Sequence, residues 1–136
     1  MKIKVLKLFV FILLISCNQK ELDVSDLVHL NGYWKISHIT QENEIFKPNG
    51  EPQLIDYYFF KQKKGVRKKV QPNLINQSFL VSLDEANFVI IEKQQNFFLS
   101  YKTKWATWEE RIVTLDKDVL ILENDAKEYH YVRHSK

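Results

Sequence analysis

Cysteine occurs once in this 136-residue chain, at Cys17, and glycine and proline three times each. One cysteine cannot form a disulfide within the chain or build a Cys-rich zinc site. Three glycines leave little material for a glycine-rich phosphate cradle, and no P-loop, dinucleotide fingerprint or nucleophile elbow is present. The longest apolar run, Leu8 to Ile15, is eight residues, against about 20 for a membrane-crossing helix. Net charge is scarce as well. The formal +3 equals Lys2, Lys4 and Lys7, and residues 17–136 carry 17 basic and 17 acidic side chains. A balanced chain of this kind gives no bulk attraction for nucleic acid.

The short apolar run has a recognisable setting. Basic Lys2, Lys4 and Lys7 precede it and a small residue, Ser16, ends it, the layout of a secretory signal. The stretch Leu14-Ile15-Ser16-Cys17 resembles the lipobox of bacterial lipoproteins. That resemblance implies cleavage before Cys17, diacylglycerol on its thiol, and fatty acyl chains such as palmitate anchoring the protein to a membrane. An acylated Cys17 is no nucleophile. The alternative is an ordinary signal peptide with an incidental cysteine, or a buried first strand.

On the lipoprotein reading, residues 1–16 are signal, 17–29 a tether and 30–136 the folded domain. The remaining length suffices for one core and is too short for two. Within the tether, Ser25 or Asp26 is placed to cap a short helical turn through Leu30. Gln19-Lys20-Glu21 resembles the acidic signal that sends some lipoproteins to the outer face of the outer membrane. A plain solvated linker is the alternative. The expected address is the bacterial envelope, on the outer membrane, facing the periplasm or the surface.

From Tyr33 onward the pattern has a period of two and is rich in β-branched and aromatic residues, which predicts strands. "YWKISHITQ" sets Trp34, Ile36 and His38 on one face. "LIDYYFFKQK" turns at Lys63-Lys64-Gly65 into "VRKKVQ". "QSFLVSL" turns at "DEAN" into "FVIIEKQ", and "NFFLSYK", "WATWEERIVTL", "DVLILEN" and "KEYHYVRH" follow. Eight or nine strands with short connections predict an all-β, antiparallel up-and-down barrel, because parallel pairs need long crossovers. The longest connection, residues 42–52, carries Pro48-Asn49-Gly50 and two apolar residues, Ile45 and Phe46. These either fold over a barrel mouth as a lid or pin the loop to the body.

Gly32-Tyr33-Trp34 at the first strand and Arg133 on the last resemble the lipocalin family and its bacterial lipocalin-like relatives. The resemblance implies that Gly32, Trp34 and Arg133 close the narrow end of the barrel, with Arg133 over the Trp34 ring. It also implies a small apolar or amphiphilic ligand rather than a reaction. Alternation nominates Trp34, Tyr58, Phe60, Phe88 and Tyr131 as inward-facing residues. They line a ligand cavity or fill a solid barrel.

Few constellations point to chemistry. His130 and His134 would lie roughly 13 Å apart along a strand, too far to share a metal. His38 and His130 come from neighbouring strands but lack a third ligand. Glu109 and Glu110 point to opposite faces. The chain is therefore expected to be no enzyme, with no metal or cofactor, and to act as a monomer. Lys61, Lys63, Lys64, Arg67, Lys68 and Lys69 form the one local charge bias. They either contact an anionic surface or an envelope protein partner, or are a solvated hairpin that protects an edge. An interaction module with a solid core is the alternative to a ligand carrier.

Overall fold

The computed structural model describes residues 20–52, 54–72 and 79–135, with residues 79–84 in backbone only. The signal segment and Cys17 lie outside the described residues. A 3₁₀ helix, Val24–Leu30, leads into β1 (Gly32–Gln41), β2 (Glu44–Phe46), β3 (Ile55–Lys61), β4 (Lys64–Pro72) and β5 (Phe79–Lys93). β6 (Asn96–Lys102), β7 (Thr107–Leu115), β8 (Val119–Asn124) and β9 (Lys127–Arg133) complete the sheet. Neighbours from β3 to β9 pair antiparallel in chain order, and β1 pairs with both β3 and β9. Eight strands thus close into an up-and-down barrel of lipocalin-like topology. β2 is an addition outside the ring, paired to the far end of β1.

The strand boundaries differ from expectation in three places. "DEAN" is no turn, because β5 runs unbroken through it for 15 residues. Those four residues contain neither Gly nor Pro, and Ala86 and Phe88 continue inward while Glu85 and Asn87 face out. Connection 42–52 instead begins with a turn at Glu42-Asn43 and contributes β2. The third turn also shifts, to Gln62-Lys63 rather than Lys63-Lys64-Gly65. Gly65 belongs to β4, where a Cβ would sit 2.6 Å from the Phe59 carbonyl oxygen and collide with the Phe88 ring. Its bare backbone lets Phe88 close over that strand.

Three hairpins turn on residue pairs with both φ positive: Gln62-Lys63 (51° and 65°), Gln94-Gln95 (49° and 64°) and Asp125-Ala126 (50° and 58°). This is the twist-matched hairpin geometry that normally favours Asn-Gly or Asp-Gly, since a Cβ resists it. Ala126→Gly would create the favoured dipeptide. It is expected to stabilise the fold by about 1 kcal/mol, after the extra unfolded-state freedom of glycine is offset. An unchanged or lowered urea midpoint would contradict this.

The strands run between two unlike ends. The closed end holds the 3₁₀ helix and the turns at 62–63, 94–95 and 116–118; the mouth holds connections 47–54, 103–106 and 125–126. Asp23, rather than Ser25 or Asp26, caps the helix, accepting from Val24 N–H, while Asp26 accepts from Asp23 N–H. Leu27 and Leu30 turn inward and join the core with Trp34, Tyr58, Phe88, Leu99, Leu120, Leu122 and others. The segment expected to be tether up to residue 29 therefore supplies the plug, and even Leu22 packs against the core.

Candidate functional site

At the closed end, Trp34 is fully buried and its indole N–H donates to Leu30 O at 2.9 Å. The Arg133 guanidinium carbon lies 3.8 Å from the Trp34 ring centroid. Its nitrogens donate to Asn31 O at 2.8 Å, Lys117 O at 2.9 Å and His29 O. One planar cation thus ties the helix, the 116–118 turn and β1 together. Burial pulls the Arg133 guanidinium down from its ordinary value, and Asp118 and Asp116 act against that. Gly32 sits at φ 127°, and a Cβ there would stand 2.5 Å from Arg133 Nη1. Glycine is required twice over, by conformation and by space.

Trp34, Tyr58, Phe88 and Tyr131 belong to the core, and Phe60, half-buried, packs against it. Their rings contact one another and their neighbours: Tyr58 and Phe88 lie 6.1 Å apart, Phe88 and Tyr101 5.6 Å. None of the five lines the mouth cavity described next.

That cavity, about 370 Å³, opens at the mouth and is lined by Arg67, Lys69, Glu85, Ala86, Thr103, Trp105 and Trp108. Alternation explains the membership. Tyr58 faces inward, so its partner Arg67 does too, and the next inward residue on β4 is Lys69. On β7 the inward series is Trp108, Glu110 and Ile112, with Glu110 buried and Glu109 outside against Lys93 at 2.6 Å. Arg67 Nη1 donates to Glu110 Oε1 at 3.4 Å. Its guanidinium also lies 5.0 Å from the Tyr101 centroid and 5.9 Å from Trp108, whose rings stack at 4.7 Å. Lys69 Nζ stands 2.6 Å from Asp56 Oδ1, close enough to pair charges but off the hydrogen-bond direction.

The electrostatics of this layer are those of a dry polar floor. Burial pushes the Tyr58 and Tyr101 hydroxyls well above their ordinary range, so both stay neutral. Burial also raises the Glu110 carboxyl, with Arg67 pulling the other way. Arg67 keeps its charge: burial works against it, and the acidic groups beside it, Glu110 and Asp56, favour the charged form. Tyr58 Oη, Tyr101 Oη and Glu110 Oε2 are buried beside one another, and Tyr101 is close enough to interact with both the Tyr58 hydroxyl and the Glu110 carboxylate, though without good hydrogen-bond geometry.

The other nominated residues lie elsewhere. The six basic residues do not share a surface. Lys61, Lys63 and Lys64 are exposed at the closed end, Arg67 and Lys69 point into the barrel, and Lys68 pairs outside with Glu85 at 3.3 Å. Period-two alternation over a nine-residue strand separates them. Ile45 and Phe46 are exposed by 63% and 48% and pair in β2 with Thr40 and Ile39, beside the wall rather than across the mouth. The turn at Glu42-Asn43 fixes them there.

A β-bulge at Ser37 flips the end of β1, so His38 faces outward, opposite to the face of Trp34. It stacks on His130 at 4.2 Å, and Glu128 Oε2 is 3.3 Å from His130 Nε2. Burial, then His130 and Lys47, lower the His38 pKa. No group of three potential metal ligands occurs among the described residues.

No protein-family profile and no curated protein matches the chain. Among solved structures, an uncharacterized protein from Bacteroides eggerthii is similar at 8% identity and a TM-score of 0.48. The alignment covers 77% of this chain and 99% of that one. A lipocalin-like protein from Bacteroides uniformis aligns at 12% identity and a TM-score of 0.48, covering 78% and 99%. Lobster apocrustacyanin A1 aligns at 14% and 0.44, covering 80% and 63%. The fold assignment rests on the strand pairing described above.

The mouth residues Asp56, Glu85, Ala86, Thr103, Trp105, Trp108 and Glu110 were not singled out as a site from sequence. A signal existed for Glu110, a lone acid in the inward series Trp108, Glu110, Ile112. Asp56 sits in the same way between inward Tyr58 and the start of β3.

Proposed function

We propose that the protein is a lipid-anchored binding protein of the bacterial envelope that takes a small amphiphilic molecule in its barrel mouth. The observation that supports this is the mouth cavity itself, with aromatic walls at Trp105 and Trp108 and with Arg67, which pairs with the buried Glu110, reaching into it. Its volume is about 370 Å³, at the small end for ligand sites, which favours a compact ligand over a long acyl chain. Its charges pair off, Arg67 with Glu110, Lys69 with Asp56 and Lys68 with Glu85. That balance suits an uncharged or zwitterionic polar head with a flat apolar body stacked on the indoles. The proposed mode is binding without turnover or cofactor.

Two measurements test it. Native mass spectrometry of the acylated protein taken from membranes is expected to show a co-purifying mass of ligand size. Trp105 is 86% exposed, so Trp105→Ala leaves the fold intact. That variant is expected to weaken binding of the fluorescent amphiphile 1-anilinonaphthalene-8-sulfonate about tenfold, in keeping with loss of an aromatic stack and its buried area. No bound mass together with unchanged dye binding would sink the carrier reading. The interaction-module reading would then stand, supported by the exposed Ile45, Phe46 and Leu54.

A further inference from the structure

We infer that the closed end of the barrel rests on an anionic lipid surface, with the mouth turned toward water; this rests on the lipid-anchor reading above. The first argument is reach. Leu22 is packed against the core at the closed end, and five residues from Cys17 to Leu22 span at most roughly 18 Å. The mouth is farther. A ten-residue strand such as β1, rising roughly 3.3 Å per residue and tilted as barrel strands are, places it about 25 Å beyond the plug. A chain anchored at Cys17 therefore cannot bring the mouth down onto the bilayer.

The second argument is the chemistry of the closed end. Val24 and Val28, on the outer side of the plug helix, are exposed by 56% and 61%, while Leu27 and Leu30 on its other side are buried. At the same end stand Lys61, Lys63 and Lys64, exposed at the β3–β4 hairpin, and Lys117 at the β7–β8 turn. Lys61, Lys63 and Lys64 form no ion pair among the described residues.

Several acids at this end are already engaged. Asp23 caps the helix, Asp26 accepts from Asp23 N–H and pairs with Lys20, Asp116 accepts from the Asp118 and Val119 N–H groups, and Asp118 pairs with Lys117. Glu21 and Glu92 are exposed there as well, so the attraction is local to the hairpin. A small apolar patch at the same end as unpaired lysines fits the boundary between acyl chains and anionic head groups. Lysines held within a Debye length of that surface, about 10 Å at 0.1 M salt, feel its potential.

Tryptophan quenching tests this on the acylated full chain, reconstituted into phosphatidylcholine–phosphatidylglycerol vesicles with brominated acyl chains. The signal that Val28→Trp adds to its Trp105→Phe parent reports on the closed end, and the signal that the native chain loses on Trp105→Phe reports on the mouth, so that Trp34 and Trp108 cancel. The closed-end probe is expected to be quenched about twofold, since interfacial side chains sit within 5–10 Å of the acyl boundary. Trp105 is expected to be unaffected by the lipid and open to acrylamide. Lys63→Glu with Lys64→Glu is expected to reduce closed-end quenching without changing palmitate labelling.

Quenching of Trp105 equal to or above that of the closed-end probe overturns the orientation. So does vesicle-bound, palmitate-labelled protein in which neither probe is quenched. Unchanged quenching in the double-glutamate variant overturns the role of the hairpin lysines. Absence of palmitate label, with protein left unbound to vesicles, overturns the anchor reading instead, and the orientation falls with it.

Discussion

Trp34→Ala is expected to lower the unfolding free energy by about 3–5 kcal/mol, the range for removing a large buried aromatic. Three losses combine in it. The fully buried ring leaves a cavity among Leu27, Leu30 and Tyr58, Leu30 O loses the indole donor, and the Arg133 plane loses the face it covers at 3.8 Å. A domain of this size holds on the order of 5–15 kcal/mol in all, so the variant is marginal at 37 °C. Arg133→Lys separates the contributions. A lysine keeps the charge but cannot reach the Asn31, Lys117 and His29 carbonyls at once, nor stack as a plane. About half of the tryptophan effect is expected there. Urea unfolding at equal slope measures both, and a Trp34→Ala loss under about 1 kcal/mol would refute the view that this contact closes the barrel.

That closure was legible because few residues carry it. A glycine two before a tryptophan, and an arginine on the last strand, are each weak signals, yet their types match the geometry found: φ of 127°, a stacked indole, three carbonyls within reach of one guanidinium. The strand pattern was legible for the same reason that it forms, since inward and outward residues differ in polarity.

The expected eight or nine strands agree with the nine found through two opposite errors. β5 was split at "DEAN", where polar residues resemble a turn although alternation persists through Ala86 and Phe88. β2 was missed, because three residues at the end of a loop are too few to show any period. The face of His38 was also unreadable. A bulge adds one residue without changing composition, and one residue reverses everything beyond it.

The mouth site was hidden for a different reason. Its members come from β3, β4, β5, β7 and the 103–106 connection, and only strand register brings them together. Read linearly, Arg67 and Lys69 belong to a run of basic residues that suggests one charged surface. Register places each of them instead beside an acid more than ten positions away in sequence, Glu110 and Asp56.

This buried pairing makes the second large prediction. Arg67→Met is expected to cost about 3–5 kcal/mol at pH 8, because it strands Glu110 as an unpaired charge on the barrel floor. Removing both charges, Arg67→Met with Glu110→Leu, is expected to fall within about 1 kcal/mol of the native protein, since well-packed apolar replacements of buried ion pairs are commonly neutral or stabilising. The pH dependence follows from Glu110. Its folded-state pKa is raised above the ordinary carboxylate value by burial, while Arg67 holds it down.

A raised folded-state pKa means that the native state keeps the proton longer than the unfolded chain does. This group's favourable contribution is therefore present below the unfolded value and is lost as pH rises through the folded value. Without Arg67 the folded value rises further and the window widens. The single variant should then regain part of its loss on going from pH 8 to pH 5, while the double variant loses this contribution to the pH profile. Equal losses for the single variant at both pH values would show that Glu110 is not the stranded charge. A near-neutral double variant would mean that the pair contributes little to stability. Its orientation beneath Trp105 and Trp108 would then be better explained by what the mouth holds than by what the fold requires.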